Sequence, residues 1–125
     1  NVWNGMFYDG KGGPDQDCQG LIDFIDSFNS PLIGSYLDIG NHHRYANMGS
    51  WIRSLNKRVL KLDLKGYDKS KTKWRDITEG DIDWADIRKA LNEINFNGWA
   101  TAEVGGGNTD RLRKVCDHMK KALIG

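Results

Sequence analysis

The chain has 125 residues and a net charge of +1, with acids and bases mixed along its length. That is the length of one domain, and without a basic stripe it does not read as a dedicated nucleic-acid binder. No apolar run approaches the ~20 residues that cross a bilayer, and no secretory signal peptide is visible. A cytoplasmic protein with no membrane or nucleic-acid partner is therefore expected.

Asn1 is not Met, and Asn1-Val2-Trp3-Asn4 reads like the end of a strand, so a processed or truncated piece of a longer polypeptide is expected. Residues 5–14 hold four glycines and a proline and read as a loop. A helix is predicted over 15–28, with Leu21, Ile22, Phe24, Ile25 and Phe28 at helical spacing, ended by Asn29-Ser30-Pro31. A strand follows to Asp38, then a loop over 39–47 and a short helix over 48–55 with Trp51, Ile52 and Leu55 inward.

A second strand covers 59–65, and residues 67–81 read as a long, lysine-rich loop. Asp83 is a good N-cap for a helix whose apolar face is Trp84, Ile87, Leu91 and Ile94, with Asn97-Gly98 as its stop. The strand over 99–104 leads through Gly105-Gly106-Gly107 to a last helix capped by Asn108 or Thr109, with Leu112, Val115, Cys116, Met119 and Leu123 as its stripe. Cys116 is thus expected to be a buried thiol. Cys18 and Cys116 form no Cys-x-x-Cys pair, so neither a zinc site nor a redox motif is indicated. Trp51, Trp84 and Trp99 are expected in the core.

Strand alternation then separates two faces. Leu60, Leu62 and Leu64 oppose Lys61, Asp63 and Lys65; Ala100, Ala102 and Val104 oppose Thr101 and Glu103; Leu37 and Ile39 oppose Tyr36 and Asp38. One face is apolar, and the other carries every carboxylate. A doubly wound sheet would make both faces apolar. A barrel with a polar mouth fits better, although a (β/α)8 barrel needs roughly 200–250 residues. The chain therefore reads as one partial barrel domain over 1–125, from the end of strand five through helix eight. Acids gathered at strand ends suit a divalent cation and proton transfer.

Each of these acids has a plainer reading. Asp38 and Glu103 at strand ends could cap the next turn or pair with a lysine. Asp63 could belong to an ion-pair network with Lys61 and Lys65. Lys65 reads either as the cation that neutralises a substrate oxyanion or as a salt-bridge partner of Asp63. His42, His43 and Arg44 follow the Asp38 strand and are candidates to reach a sugar's hydroxyls or phosphate, with at most one of the histidines expected to do so. The three glycines 105–107 are either a phosphate cradle or a flexible turn. Trp3 is the best aromatic to line a pocket.

Five stretches in order resemble the C-terminal half of the xylose isomerase-like barrel superfamily, in its sugar phosphate isomerase and epimerase branch. They are Asn1-Val2-Trp3-Asn4, Leu37-Asp38-Ile39-Gly40-Asn41, Leu60-Lys61-Leu62-Asp63-Leu64-Lys65, Glu79-Gly80-Asp81-Ile82-Asp83-Trp84 and Gly98-Trp99-Ala100-Thr101-Ala102-Glu103.

The resemblance implies one divalent ion (Mn, Mg, Zn or Co) held by Asp38 and Glu103, with Asp63 where the family usually has histidine. Asn41 stands where histidine is common, and a further glutamate belongs just before Asn1. It implies isomerisation or epimerisation of a sugar or sugar phosphate through an enediolate, with Glu103 as ligand and acid/base and Lys65 beside it. The alternatives are a keto-sugar lyase or hydratase on the same fold and a metal-free sugar-binding module. A half barrel is expected to be inactive alone and to pair with another copy or with a missing N-terminal half.

Overall fold

A computed structural model describes residues 17–125. The sequence expectations for 1–16, including the strand remnant, the glycine-rich loop and Trp3, lie outside them.

Helix α1 (Gln19–Asp26) buries Leu21 and Ile25. It is shorter than the spacing predicts, and Asn29 beyond it takes a left-handed conformation at φ 45°. Phe24 and Phe28 do not enter the core; they stack edge-on against each other at 5.1 Å on the surface. Strand β1 (Ser35–Asp38) runs directly into a short helix, α2 (Ile39–His43), where a loop was expected. The cause is Asp38, whose carboxylate accepts the Asn41 backbone N–H and caps that turn. Asn47 caps α3 (Met48–Leu55) in the same way, and Asn56 at φ 51° ends it.

Strand β2 (Val59–Leu64) pairs in parallel with β1 on one side and with β5 (Trp99–Ala102) on the other, giving the order β1-β2-β5. Helix α4 (Trp84–Glu93), capped by Asp83, returns the chain from the second strand to the third. It ends at Glu93, and Asn95 just beyond it sits at φ 51°, two residues before the predicted Asn97-Gly98 stop. Helix α5 (Thr109–Leu123) is capped by Asn108. Parallel strands, each followed by helix, form an α/β architecture in which helices cover one face of the sheet.

The covered face is the core. Leu37, Leu62 and Leu64 are fully buried, with Ile39, Trp51, Ile52, Leu55, Ile87 and Ala90 packed around them. Each buried leucine or isoleucine among them contributes roughly 1.5–3 kcal/mol by leaving water. Helix α3 packs on α4 and α4 on α5. Arg53 ties the first pair together, donating to Asp86 at 2.7 Å and to Glu93.

Residues 67–81 are not an unstructured loop. They contain most of an antiparallel hairpin, β3 (Gly66–Asp68) with β4 (Lys73–Arg75), in which Tyr67 faces Trp74. The strands are short and charged, so no alternation announced them; the Tyr67–Trp74 ring pair at 4.8 Å and the Asp68 carboxylate, which accepts from Ser70 and Lys71, close the turn. Gly80 makes the return path possible. It lies at φ 109°, and a Cβ there would stand 2.2 Å from the Tyr67 carbonyl oxygen.

Four further side chains depart from expectation, one of them Leu112, which is 56% exposed on α5. Leu60 is half exposed at the start of β2. Trp99 is 80% exposed, because its register partner is Lys61 and it therefore stands on the charged face rather than in the core. Cys116 is exposed on α5, while Cys18 is the buried thiol. No helix among the described residues is long and apolar enough to cross a membrane.

Leu62 sits at the centre of the middle strand with no exposed surface. Leu62→Ala should cost about 2–5 kcal/mol through lost burial and the cavity left behind. Urea unfolding followed by tryptophan fluorescence measures it. A loss below about 1 kcal/mol would mean that the covered face is not the core.

Candidate active site

Parallel pairing sets the site. Asp38 is in register with Asp63, and Asp63 with Thr101. Strand β5 ends at Ala102, but the Glu103 N–H donates to the Leu64 carbonyl at 2.9 Å, so the ladder carries on and fixes the Glu103 backbone. All three acids share the face opposite the helices, at the carboxyl end of the sheet. One oxygen from each of Asp38, Asp63 and Glu103 lies within 4.8 Å of the others.

Lys65 lies among them. Its Nζ donates to Glu103 Oε2 at 2.6 Å and lies 3.2 Å from Asp38 Oδ2. The expected salt bridge to Asp63 is thus replaced by bridges to its two neighbours. Asp38 is completely buried, and Glu103 keeps 55% of its side chain exposed. Burial pushes the Asp38 carboxyl up to about 6 against the pull of the Asn41 N–H and Lys65. Glu103 is held below the usual range, chiefly by its hydrogen bond from Lys65. Burial works against the Lys65 ammonium, but its hydrogen bonds to Glu103 and Asp38 outweigh that and raise its pKa.

Asp63 is oriented by a relay that sequence reasoning did not single out. The Thr101 hydroxyl donates to Asp63 Oδ1 at 3.0 Å, which leaves the Tyr36 hydroxyl to donate to Thr101 Oγ1 at 2.6 Å. The signal was available, since alternation puts Tyr36 and Thr101 on the acids' face. Lys61 covers the Tyr36 ring at 4.3 Å.

The residues after β1 are placed less uniformly than their adjacency suggests. Asn41 hydrogen-bonds to both Asp38 oxygens, through its backbone and its side chain. Both histidines are buried. His42 packs on Trp51 at 5.0 Å, and burial lowers its pKa to about 4. His43 contacts Asp81 at 2.8 Å; burial lowers its pKa despite that carboxylate. Arg44 lies 5.3–5.7 Å from the Tyr45, Tyr67 and Trp74 rings and so seats the hairpin on the β1 side. Residues 105–107 are exposed, and the Gly105 carbonyl accepts from Arg111 Nε.

A cleft of about 550 Å³ opens beside Lys65 and Glu103, walled by Trp74, Arg75, Asp76, Glu79, Val104 and Gly105. The hairpin and the segment just after it therefore supply half of the lining: Trp74, Arg75, Asp76 and Glu79. Tyr67 and Trp74, the two aromatics of a lysine-rich stretch, were its visible sign in the sequence.

Oxygen donors converging at the carboxyl ends of parallel strands, beside a cleft, define a carboxylate-centred site of the kind α/β barrels carry. The chain belongs to the xylose isomerase-like TIM barrel family, whose family model matches residues 3–122. No curated protein matches the chain. The fold class expected from strand alternation is therefore the one the chain has.

Asp76 fixes the cleft's outer wall through a two-pronged pair with Arg111 at 2.6 Å and a contact from Lys114. Its carboxyl is held down to about 2, from 3.8, mainly by the Arg111 hydrogen bonds. The folded state therefore favours the charged form, and this stability is fully present above about pH 4 and fades as pH falls towards 2. Asp76→Asn should cost about 1–2 kcal/mol at pH 6, allowing for solvent screening, and little at pH 2.5. Urea midpoints of both proteins at the two pH values test it; an unchanged gap would contradict the assignment.

Proposed function

We propose that the protein is a divalent-metal-dependent sugar or sugar phosphate isomerase or epimerase that moves a proton on the carbon beside a carbonyl. The observation that carries this is the convergence of Asp38, Asp63 and Glu103 within 4.8 Å, with Glu103 opening to the cleft. Membership of the xylose isomerase-like family supports the same class of chemistry.

The donor set fits a cation. Three carboxylates with no histidine among them favour a hard ion such as Mg or Mn over Zn. When bound, such an ion polarises a substrate carbonyl and acidifies the neighbouring C–H. Asp38 and Asp63, both buried, would hold it. Glu103 alone of the three is well exposed and lines the cleft, so it is the group that takes and returns the proton. Lys65, beside it, balances negative charge developing on a substrate oxygen. Trp74 offers a flat face for the sugar's C–H side, and Arg75 a cation for a phosphate. Asn41 acts through Asp38, and the Tyr36–Thr101 relay acts through Asp63.

A metal-free sugar-binding module is the second reading, and one observation favours it: Lys65 already neutralises part of the acidic cluster.

In the intact, active barrel, Glu103→Gln should leave the circular dichroism spectrum unchanged and lower turnover at least ~100-fold. It should also abolish exchange of the substrate's carbon-bound hydrogen with deuterated water, followed by NMR. Full exchange in the variant would make Glu103 structural.

The sheet's outer edges, on β1 and β5, have no strand partner among the described residues, and Trp99 lies bare on the inner face. Unpaired edges favour association. We expect further strands, from a second copy or a longer polypeptide, to complete the barrel. Light scattering should show the 125 residues self-associating; a monodisperse, well-folded 14.2 kDa monomer would count against it.

A further inference from the structure

We infer that Lys65 is a tethered cation occupying the divalent-ion position, so that its ammonium and a metal ion displace one another. This rests on the reading of Asp38, Asp63 and Glu103 as the cation site. A divalent ion takes carboxylate oxygens at roughly 2.0–2.6 Å. Two of the three converging carboxylates are ones Lys65 already contacts: Glu103, through Oε2 at 2.6 Å, and Asp38, through Oδ2 at 3.2 Å. Asp38 has little else to offer, because its Oδ1 is committed to the N–H that starts α2. Two cations on the same pair of oxygens repel strongly in a site this enclosed.

The seat for Lys65 is built into the fold. Gly40 leaves room for the stem: a Cβ at that position would stand 2.4 Å from Lys65 Cγ. The Lys65 side chain is only 12% exposed, so it does not hang in solvent. It also has a second place to go. The Trp74 ring centroid is 4.8 Å from Nζ, and that ring walls the cleft. Entry of a metal ion would therefore move the ammonium from the carboxylates towards Trp74, into the space a substrate would use. Metal occupancy and the charge of the cleft become coupled through one side chain.

The test is Mn²⁺ titrated into the full chain and followed by calorimetry. Lys65→Met keeps a stem beside Gly40 but removes the charge. It should bind Mn²⁺ at least ~10-fold more tightly than the wild type, while Lys65→Arg stays as weak as the wild type. Binding by Lys65→Met no tighter than the wild type overturns the inference and leaves the cation site standing. No Mn²⁺ binding by either protein, with native circular dichroism, overturns both. A measurement on the wild type covers the case in which Lys65→Met does not fold. Acetylation of Lys65 by acetic anhydride, read by mass spectrometry, should rise severalfold at saturating Mn²⁺ as the ammonium leaves the carboxylates. Acetylation that is unchanged or lower contradicts displacement.

Discussion

Three carboxylates within 4.8 Å repel one another, and the rest of the site depends on how that repulsion is met. Two like charges at that separation interact by roughly 3 kcal/mol at an effective dielectric near 20. Parallel pairing forces the juxtaposition, because strands in register present equivalent positions side by side. The sheet cannot relieve it by sliding, since a one-residue slip would turn Leu37, Leu62 and Leu64 out of the core. The compensation comes from side chains: Lys65 between Asp38 and Glu103, the Asn41 amide on Asp38, and the Thr101 hydroxyl on Asp63.

Lys65 owes its position to the hairpin on its C-terminal side. The chain leaves β2 after Leu64 and enters the hairpin at Gly66, where a Cβ would meet the Asp76 carbonyl oxygen at 2.1 Å. This close backbone packing holds the hairpin over the end of β2 and brings Trp74 beside Lys65. Arg111 and Lys114 of α5 then anchor Asp76, just beyond β4. The cleft wall is therefore fastened to the scaffold at both ends, at Arg44 on the β1 side and at α5 on the other.

The parts that could be read from the sequence are those governed by period. Alternation in β1, β2 and β5 located the core face and put every acid on the opposite one, and the helical stripes with their Asp83 and Asn108 caps located α4 and α5. The parts that could not be read depend on contacts distant in sequence. The hairpin's three-residue strands carry no period, and its stabilising pairs, Tyr67 with Trp74 and Asp76 with Arg111, become visible only after folding. Trp99 departs from expectation because a tryptophan in a strand suggests a core, whereas register ties it to Lys61 on the charged face. Adjacency makes His42 and His43 look like alternatives, but the short α2 turn buries both, against Trp51 and Asp81 respectively.

Asp38 shows why the structural and the chemical readings of a strand-end acid need not compete. Its Oδ1 caps α2, and its Oδ2 faces Lys65 and the other acids. The cap fixes the carboxylate's rotation, so the second oxygen is presented in one orientation without mobile support. Preorganisation of this kind lets a buried group hold charge without rearranging during a reaction. It also limits what Asp38 can do. Its carboxylate has no exposed surface, whereas Glu103, free of any cap, is open to the cleft. Burial thus separates the three: two enclosed carboxylates, and one that opens to the cleft.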